Sequence, residues 1–265
     1  MNAPVEAGVN PFVLSRTQGG VRTLTMNRGE RFNALSGGML DALEREIDAA
    51  AGDAAVRVVV LAALGRGFCA GHDLKELRSA DGDARRAIFD TCSRVMMKLT
   101  QLPKPTIARV HGIATAAGCQ LVSMCDLAVA ADTARFALPG VNVGVFCSTP
   151  AVGVGRNVGR KRVMEMLLTG DPIDASTALD WGLVNRVVPQ DELDAAVAHF
   201  ASRILERSAA VVALGKQAFY RQIDQTLGDA YAYTSDVMTC NLELPDSAEG
   251  IDAFLEKRTP RWSSR

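Results

Sequence analysis

The chain has 265 residues, of which 48% are apolar and 22% charged, a balance normal for a globular protein and enough for one large domain or two small ones. Its net charge of −1 supplies no field that would gather nucleic acid or an anionic membrane surface, and no apolar run approaches the ~20 residues of a membrane span. Met1 to Asn10 carries Glu6 but no lysine or arginine. The stretch therefore lacks the basic start and apolar centre of a secretory leader and the arginines of a transit peptide, and the expected location is cytoplasmic. Six cysteines, at 69, 92, 119, 125, 147 and 240, sit among apolar neighbours without a Cys-x-x-Cys pair or zinc spacing. They read as small hydrophobes in a reducing compartment. Three histidines, at 72, 111 and 199, are too scattered for a metal site.

Taken in order, Phe12 to Leu14 and Val21 to Met26 read as a hairpin turned at Gln18-Gly19-Gly20, followed by a loop over Asn27 to Leu35. Ser36 is placed to cap a helix through Leu40, Leu43 and Ile47. Val56 to Ala63 reads as a strand buried on both faces. Asp81-Gly82-Asp83 is a polar break with the composition of a mobile joint, and a helix follows from about Arg85 to Gln101 with Ile88, Phe89, Cys92, Val95, Met96 and Leu99 on one face. Leu102-Pro103-Lys104-Pro105 ends it. Thr106 to Val110 and Asp126 to Ala130 read as further strands, and Arg135 to Pro150 as a long, weakly polar loop of the kind that lines pockets. Helices are expected at Arg160 to Leu168, Ala175 to Trp181, Leu193 to Leu205, Ala209 to Phe219, Ala230 to Met238 and Ile251 to Lys257, with a short strand at Val184 to Val188. This alternation predicts an α/β core with a helical C-terminal region, divided here at 1–200 and 201–265.

Two stretches carry chemistry. Gly65-Arg66-Gly67-Phe68-Cys69-Ala70-Gly71-His72-Asp73-Leu74-Lys75-Glu76-Leu77 has three glycines within seven residues at the exit of the buried strand. Such a loop lets backbone N–H groups approach a ligand, or makes only a tight turn. Ala114 to Leu121 is made of small, uncharged residues. A helix starting there either packs tightly on a strand or points its free N–H groups at an oxyanion.

The string Phe68 to Leu77 resembles the first signature of the crotonase (enoyl-CoA hydratase/isomerase) superfamily. Lys104-Pro105 to Asp126 is similar to the second, and Leu168-Thr169-Gly170 through Val187-Val188-Pro189 to the third. The likeness runs from about Phe12 to Trp262. In Gly71 to Leu77, Ala114 to Leu121 and Pro139 to Gly144 the finer wording resembles the subgroup called enoyl-CoA hydratase domain-containing protein 3. The resemblance implies an α/β fold, the ClpP/crotonase-like spiral of ββα units with C-terminal helices that build a homotrimer or a dimer of trimers. It implies an acyl-CoA thioester as ligand, with coenzyme A part of the substrate and no further cofactor, no metal, no nucleic acid and no membrane. The thioester oxygen would be held by the backbone N–H groups of His72 and Ala117, and preorganised amides of that kind are each typically worth ~3 kcal/mol of barrier. Ala70, His72 and Leu74, with Lys75 and Gly118 beside them, fall where the family cradles the ligand. Phe254 and Lys257 match a C-terminal pair that reaches coenzyme A. Arg31 is placed to face phosphates or is a solvated surface charge, and Lys257 has the same two readings.

The chain departs from the family at the two glutamates of its hydratases, having Gln120 and Gly140 instead. Glutamine can orient a water but cannot take its proton. His72, Cys147, Ser148 and Thr149 are the candidates left, each with a packing role as its simpler reading. Asp73 and Asp126 read as a helix cap and a buried hydrogen-bond acceptor. Three functions stay open: 2-enoyl-CoA hydratase/isomerase-type chemistry without the glutamates, which is the working assignment; thioester hydrolysis through Cys147 or Ser148; and acyl-CoA binding without catalysis.

Overall fold

A computed structural model of the chain describes residues 11–263. The Met1 to Asn10 stretch, read above for a leader, lies outside the described residues. The elements are β1 (Val13–Gln18), β2 (Val21–Met26), α1 (Gly37–Gly52), β3 (Val58–Ala63), β4 (Gly67–Cys69), α2 (Leu74–Ser79), α3 (Gly82–Gln101), β5 (Thr106–Val110), β6 (Ile113–Thr115), α4 (Ala117–Met124), β7 (Leu127–Ala131), β8 (Arg135–Ala137), α5 (Ser148–Asn157), α6 (Arg160–Thr169), β9 (Ile173–Asp174), α7 (Ala175–Asp180), β10 (Arg186–Val188), α8 (Leu193–Leu205), α9 (Ala209–Gln222), α10 (Leu227–Leu242) and α11 (Pro245–Leu255).

Two sheets share these strands. The larger has the order β1-β2-β3-β5-β7-β10 and the smaller β4-β6-β8-β9. Only β1 and β9 run antiparallel to their neighbours. Each pair β3/β4, β5/β6 and β7/β8 places one strand in each sheet before the chain turns into helix, which is the spiral of ββα units that the family resemblance implies. Strand β3 shows why its composition is continuously apolar. Val59, Leu61 and Ala63 face the main core, while Val58 and Val60 face a second core closed by Leu193, Ala196, Val197 and Ala201 of α8. A strand covered on both sides has no polar face to alternate.

Local signals set most helix starts. Ser36 accepts from Met39 N, and Asp73 caps α2 through Lys75 N at 2.9 Å and Glu76 N at 3.3 Å. Asp81 accepts from Ala84 N at 2.9 Å. The expected joint at 81–83 is therefore the capped first turn of α3, and the helix starts at Gly82. The loop expected over 135–150 is likewise structured: it contains β8, a 3-10 turn at Pro139–Val143 and the start of α5. Helix α5 has no polar cap and carries two glycines. It is held by close approach to α4, where a Cβ at Gly153 would stand 2.6 Å from Ser123 Oγ. Helix α10 starts at Leu227, earlier than its apolar pattern, because Thr226 caps it through Asp229 N.

One buried ion pair fastens the C-terminal helices to the spiral. Lys216 of α9 lies 2.7 Å from Asp126 Oδ2, with side chains 7% and 17% exposed. The same oxygen accepts from Thr106 N at 2.6 Å and Thr106 Oγ1 at 2.9 Å, and Lys216 also donates to the carbonyls of Leu99 and Lys104. Removing one partner of a buried pair costs about 3–5 kcal/mol because the other charge is left unmatched. Lys216→Met is expected to lower the unfolding free energy by about 3 kcal/mol in urea titration. A loss below about 1 kcal/mol would place the pair among solvent-screened ones.

Candidate active site

The site is built where two backbone segments touch. A Cβ at Gly118, on the first turn of α4, would lie 2.0 Å from Cys69 O, and one at Gly71 would lie 2.9 Å from Ala116 Cβ and 3.2 Å from Ala117 N. Glycine at both positions lets the loop after β4 and the start of α4 meet main chain to main chain. Gly71 has φ +86°. Ala116, at φ 49° and ψ −121°, is a non-glycine held in a costly backbone region. Its N–H donates to Ala137 O at 2.9 Å and its carbonyl accepts from Gln120 N.

This contact leaves two amides free. Leu35 N donates to Gly71 O at 2.7 Å and Asp73 N to Leu35 O at 3.4 Å, a parallel bridge between Leu35 and His72. In such a bridge the His72 N–H points away from Leu35. Ala117 is the first residue of α4, so its N–H has no partner within the helix. Among the described residues neither amide donates to a protein acceptor. Ala117 N lies 3.2 Å from where a Cβ on Gly71, the neighbour of His72, would stand, and a free N–H at the start of a helix can stabilise negative charge developing on an oxygen.

The His72 ring is packed rather than solvated. Nδ1 lies 3.3 Å from Leu35 O, the Phe89 ring meets it edge-on at 5.2 Å, and Nε2 is buried without a partner among the described residues. Burial holds its pKa below the ordinary histidine value, against the opposing pull of the Leu35 carbonyl and Glu76. Glu76 in turn accepts from Gly37 N at 3.0 Å, which ties α2 to the start of α1.

The remaining predicted residues divide into groups. Ala70 donates to Phe32 O at 2.9 Å and accepts from Thr115 Oγ1 at 3.0 Å, which joins the signature loop to the segment after Arg31, and Arg31, Ala70, Leu74 and Lys75 are all exposed. Phe254, 82% exposed, and Lys257 lie on and just after α11, which packs on α9 and α10. Gln120 is buried at 4% exposure, and its Oε1 has no partner among the described residues. At Gly140 the structure adds what residue type alone did not show. A Cβ there would stand 2.3 Å from Val145 O and 2.9 Å from Cys147 Sγ, and Val145 N closes the turn on Gly140 O. The position lacks a carboxylate and also lacks room for one.

Cys147 is buried and precedes α5. Burial raises its thiol pKa, partly offset by the Gly140 N–H, while Cys119 is pushed up to about 12 by burial. Ser148 is exposed, with Oγ 3.5 Å from Phe146 O. Sequence reasoning passed over Asn33. This fully buried side chain accepts from Arg28 N at 2.8 Å and donates to Leu64 O at 2.9 Å and Gly67 O at 3.1 Å. It pins the 27–35 loop to the start of the signature loop. An asparagine between two buried apolar stretches was the available signal.

Two expectations follow. Thiolate, not thiol, is the nucleophile, so iodoacetamide at pH 7.5 should alkylate the exposed Cys240 and leave Cys147 largely unmodified over the same time. Faster labelling of Cys147, read by peptide mass spectrometry, would return it to the candidate nucleophiles. Gly140→Glu is expected to lower stability by about 1–3 kcal/mol through overpacking without raising enoyl-CoA hydration. A stable variant with higher activity would show that the turn yields.

Comparison with known proteins bears on the family and the fold. The model of the enoyl-CoA hydratase/isomerase family matches residues 16–265. The human protein named enoyl-CoA hydratase domain-containing protein 3, mitochondrial, is 49% identical over 252 residues, covering 94% of this chain and 82% of that one. Its crystal structure superposes with a TM-score of 0.92 at 48% identity over 96% of this chain and 100% of that one. An enoyl-CoA hydratase structure from Mycobacterium smegmatis gives a TM-score of 0.94 at 52% identity, covering 96% and 99%. The cytoplasmic expectation is corrected here: the rat, mouse, Xenopus laevis and human relatives, at 47–50% identity, are all named mitochondrial. Composition of the first residues could not decide a location that relatives of this similarity contradict. With the family model spanning nearly the whole chain and the fold matching throughout, this chain belongs to the enoyl-CoA hydratase/isomerase family.

Proposed function

We propose that the chain binds acyl-CoA thioesters and carries out hydratase/isomerase-type chemistry on a 2-enoyl-CoA without the two glutamates of the family's hydratases. The observation that carries this reading is the pair of unpartnered amides of His72 and Ala117. Addition to, or proton transfer beside, a thioester builds enolate charge on the carbonyl oxygen, and two fixed N–H donors lower the energy of that charge as it forms. Gln120 orients a water over the acyl chain. The backbone of Ala70, His72 and Leu74 cradles the adenine, with Lys75 and Arg31 toward the phosphates, and Gly118 gives the close approach at the thioester. Coenzyme A enters as part of the substrate, and no other cofactor is proposed. A relative that is 35% identical and covered over its full length is named 2,3-dehydroadipyl-CoA hydratase, which supports this class of substrate.

We further propose a homotrimer or a dimer of trimers, in which Phe254 and Lys257 reach coenzyme A on a neighbouring subunit. Support comes from the large apolar side chains that α9, α10 and α11 leave exposed, among them Phe219, Leu227, Tyr231, Leu242 and Phe254.

The second reading, an acyl-CoA binder without turnover, is favoured by the closed turn at Gly140. Hydrolysis through Cys147 or Ser148 has less support, since no histidine or carboxylate is hydrogen-bonded to either among the described residues.

Loss of the conjugated thioester absorbance with crotonyl-CoA, confirmed by product mass spectrometry, tests the assignment. Ala117→Pro removes one N–H at the first position of a helix, where that N–H makes no intrahelical bond, and in protein shown to be folded by its circular dichroism spectrum a drop of about 10²–10³ in kcat is expected. Undiminished activity in a folded Ala117→Pro protein would overturn the amide assignment. Binding without turnover in the unsubstituted protein would establish the second reading.

A further inference from the structure

Lys216 lies outside the site, on α9, yet the N–H donors of its buried ammonium are all committed around it. An ammonium has three donors, and here they go to Leu99 O at 2.9 Å, Lys104 O at 3.0 Å and Asp126 Oδ2 at 2.7 Å. Leu99 is in the last turn of α3. The residue four places on is Pro103, which has no N–H to give, so the Leu99 carbonyl is an orphan of the helix end that Lys216 satisfies. Asp126 stands two residues beyond Met124, where α4 ends. Its Oδ2 also accepts from Thr106 N and Thr106 Oγ1, and its own N–H donates to Thr106 Oγ1 at 2.9 Å. One cation therefore binds the far ends of α3 and α4 to α9.

Both helices lead from this cation to the amide pair. Helix α4 begins at Ala117, about 10 Å along the axis from Met124. Helix α3 carries Phe89, about 15 Å along its axis from Leu99, and the Phe89 ring meets the His72 ring edge-on at 5.2 Å. Helix α4 cannot hold its direction unaided. It has 8 residues and no side-chain cap at its start, and helices below ~12–15 residues are marginal by themselves. The approach of Gly118 to Cys69 O fixes one point near its N-terminus and leaves its tilt to the other end. A hydrogen bond weakens steeply as its angle closes, so a tilt about that point turns the Ala117 N–H away from an oxygen that the His72 N–H holds.

We propose that Lys216 is a positioning residue for the site: by anchoring the far ends of α3 and α4 it aims the Ala117 N–H at the thioester oxygen. This rests on the acyl-CoA reading above and adds the device that sets the direction of its amide.

The test is isotope-edited infrared spectroscopy of butyryl-CoA labelled at the thioester carbonyl and bound to the full chain. Two N–H donors on the oxygen weaken the C=O bond, so the bound band is expected below that of the free thioester. Lys216→Met should lose most of this shift. Its affinity for butyryl-CoA, measured by calorimetry, should fall by no more than about tenfold, the worth of one hydrogen bond, which also reports that the variant is folded. Lys216→Gln, which keeps an N–H donor without the charge, should lose part of the shift and carries the test if Lys216→Met does not fold. Leu193→Ala, in the second core that no side chain of α3 or α4 enters, is the control for lost stability alone and should keep the full shift. Ala117→Pro removes the amide itself, and adding a Lys216 substitution to it should move the band no further. A full shift in the Lys216 variants, an equal loss in Leu193→Ala, or a further change in the Ala117→Pro background would overturn the inference and leave the acyl-CoA reading intact. Butyryl-CoA bound to the unsubstituted protein with its band unshifted would overturn the amide assignment and this inference with it. Failure of butyryl-CoA to bind would overturn the acyl-CoA reading as well.

Discussion

The backbone contact between the signature loop and the first turn of α4 is the constraint on which the rest depends. It exists because Gly71 and Gly118 place no carbon between Cys69, Ala116 and Ala117. The approach exposes two amides that neither helix nor sheet can satisfy, and it holds Ala116 in a strained conformation. Strain at such a place persists only when the surroundings over-determine it. Here they do so: the Ala116 N–H is committed to Ala137 and its carbonyl to Gln120, while the opposing loop is fixed by Leu35 and by Asn33.

The spiral supplies these surroundings. Each ββα turn delivers a loop from the small sheet to the same end of the molecule, so residues near 70, 117 and 140 meet although they are far apart in the chain. The larger sheet holds the turns in register through strands buried on both faces. The Lys216–Asp126 pair joins the C-terminal helices to the segment entering β7, behind α4.

An amide pair without carboxylates changes the balance of the chemistry. Stabilisation of charge on the thioester oxygen is independent of any side chain that can titrate, whereas delivery and removal of protons is not. Under the proposed reading the first capability lies in the backbone amides of His72 and Ala117. For the second, the two positions that the resemblance marks for a carboxylate hold Gln120 and Gly140, and at Gly140 the turn leaves no space for a side chain.

Much of this was legible in the sequence. The buried strand at 58–63, the capped helix after Ser36, the Asp73 cap and the helix over 193–205 follow from periodicity and capping, which act within a few residues. The signature strings identified the family, and the replacement of two glutamates needed only residue identity. Tertiary structure alone decided the rest, because it depends on atoms distant in sequence. The four-stranded sheet is made of strands too short to carry a pattern, α5 is held by contact with α4 rather than by its own propensity, and α3 begins at a cap inside what read as a joint. A glycine at 140 could have been an open position, and only the Val145 carbonyl folding back onto it closes that space. Residue types determined which chemistry was missing. The path of the backbone between Gly140 and Cys147 decided that it has no room to return.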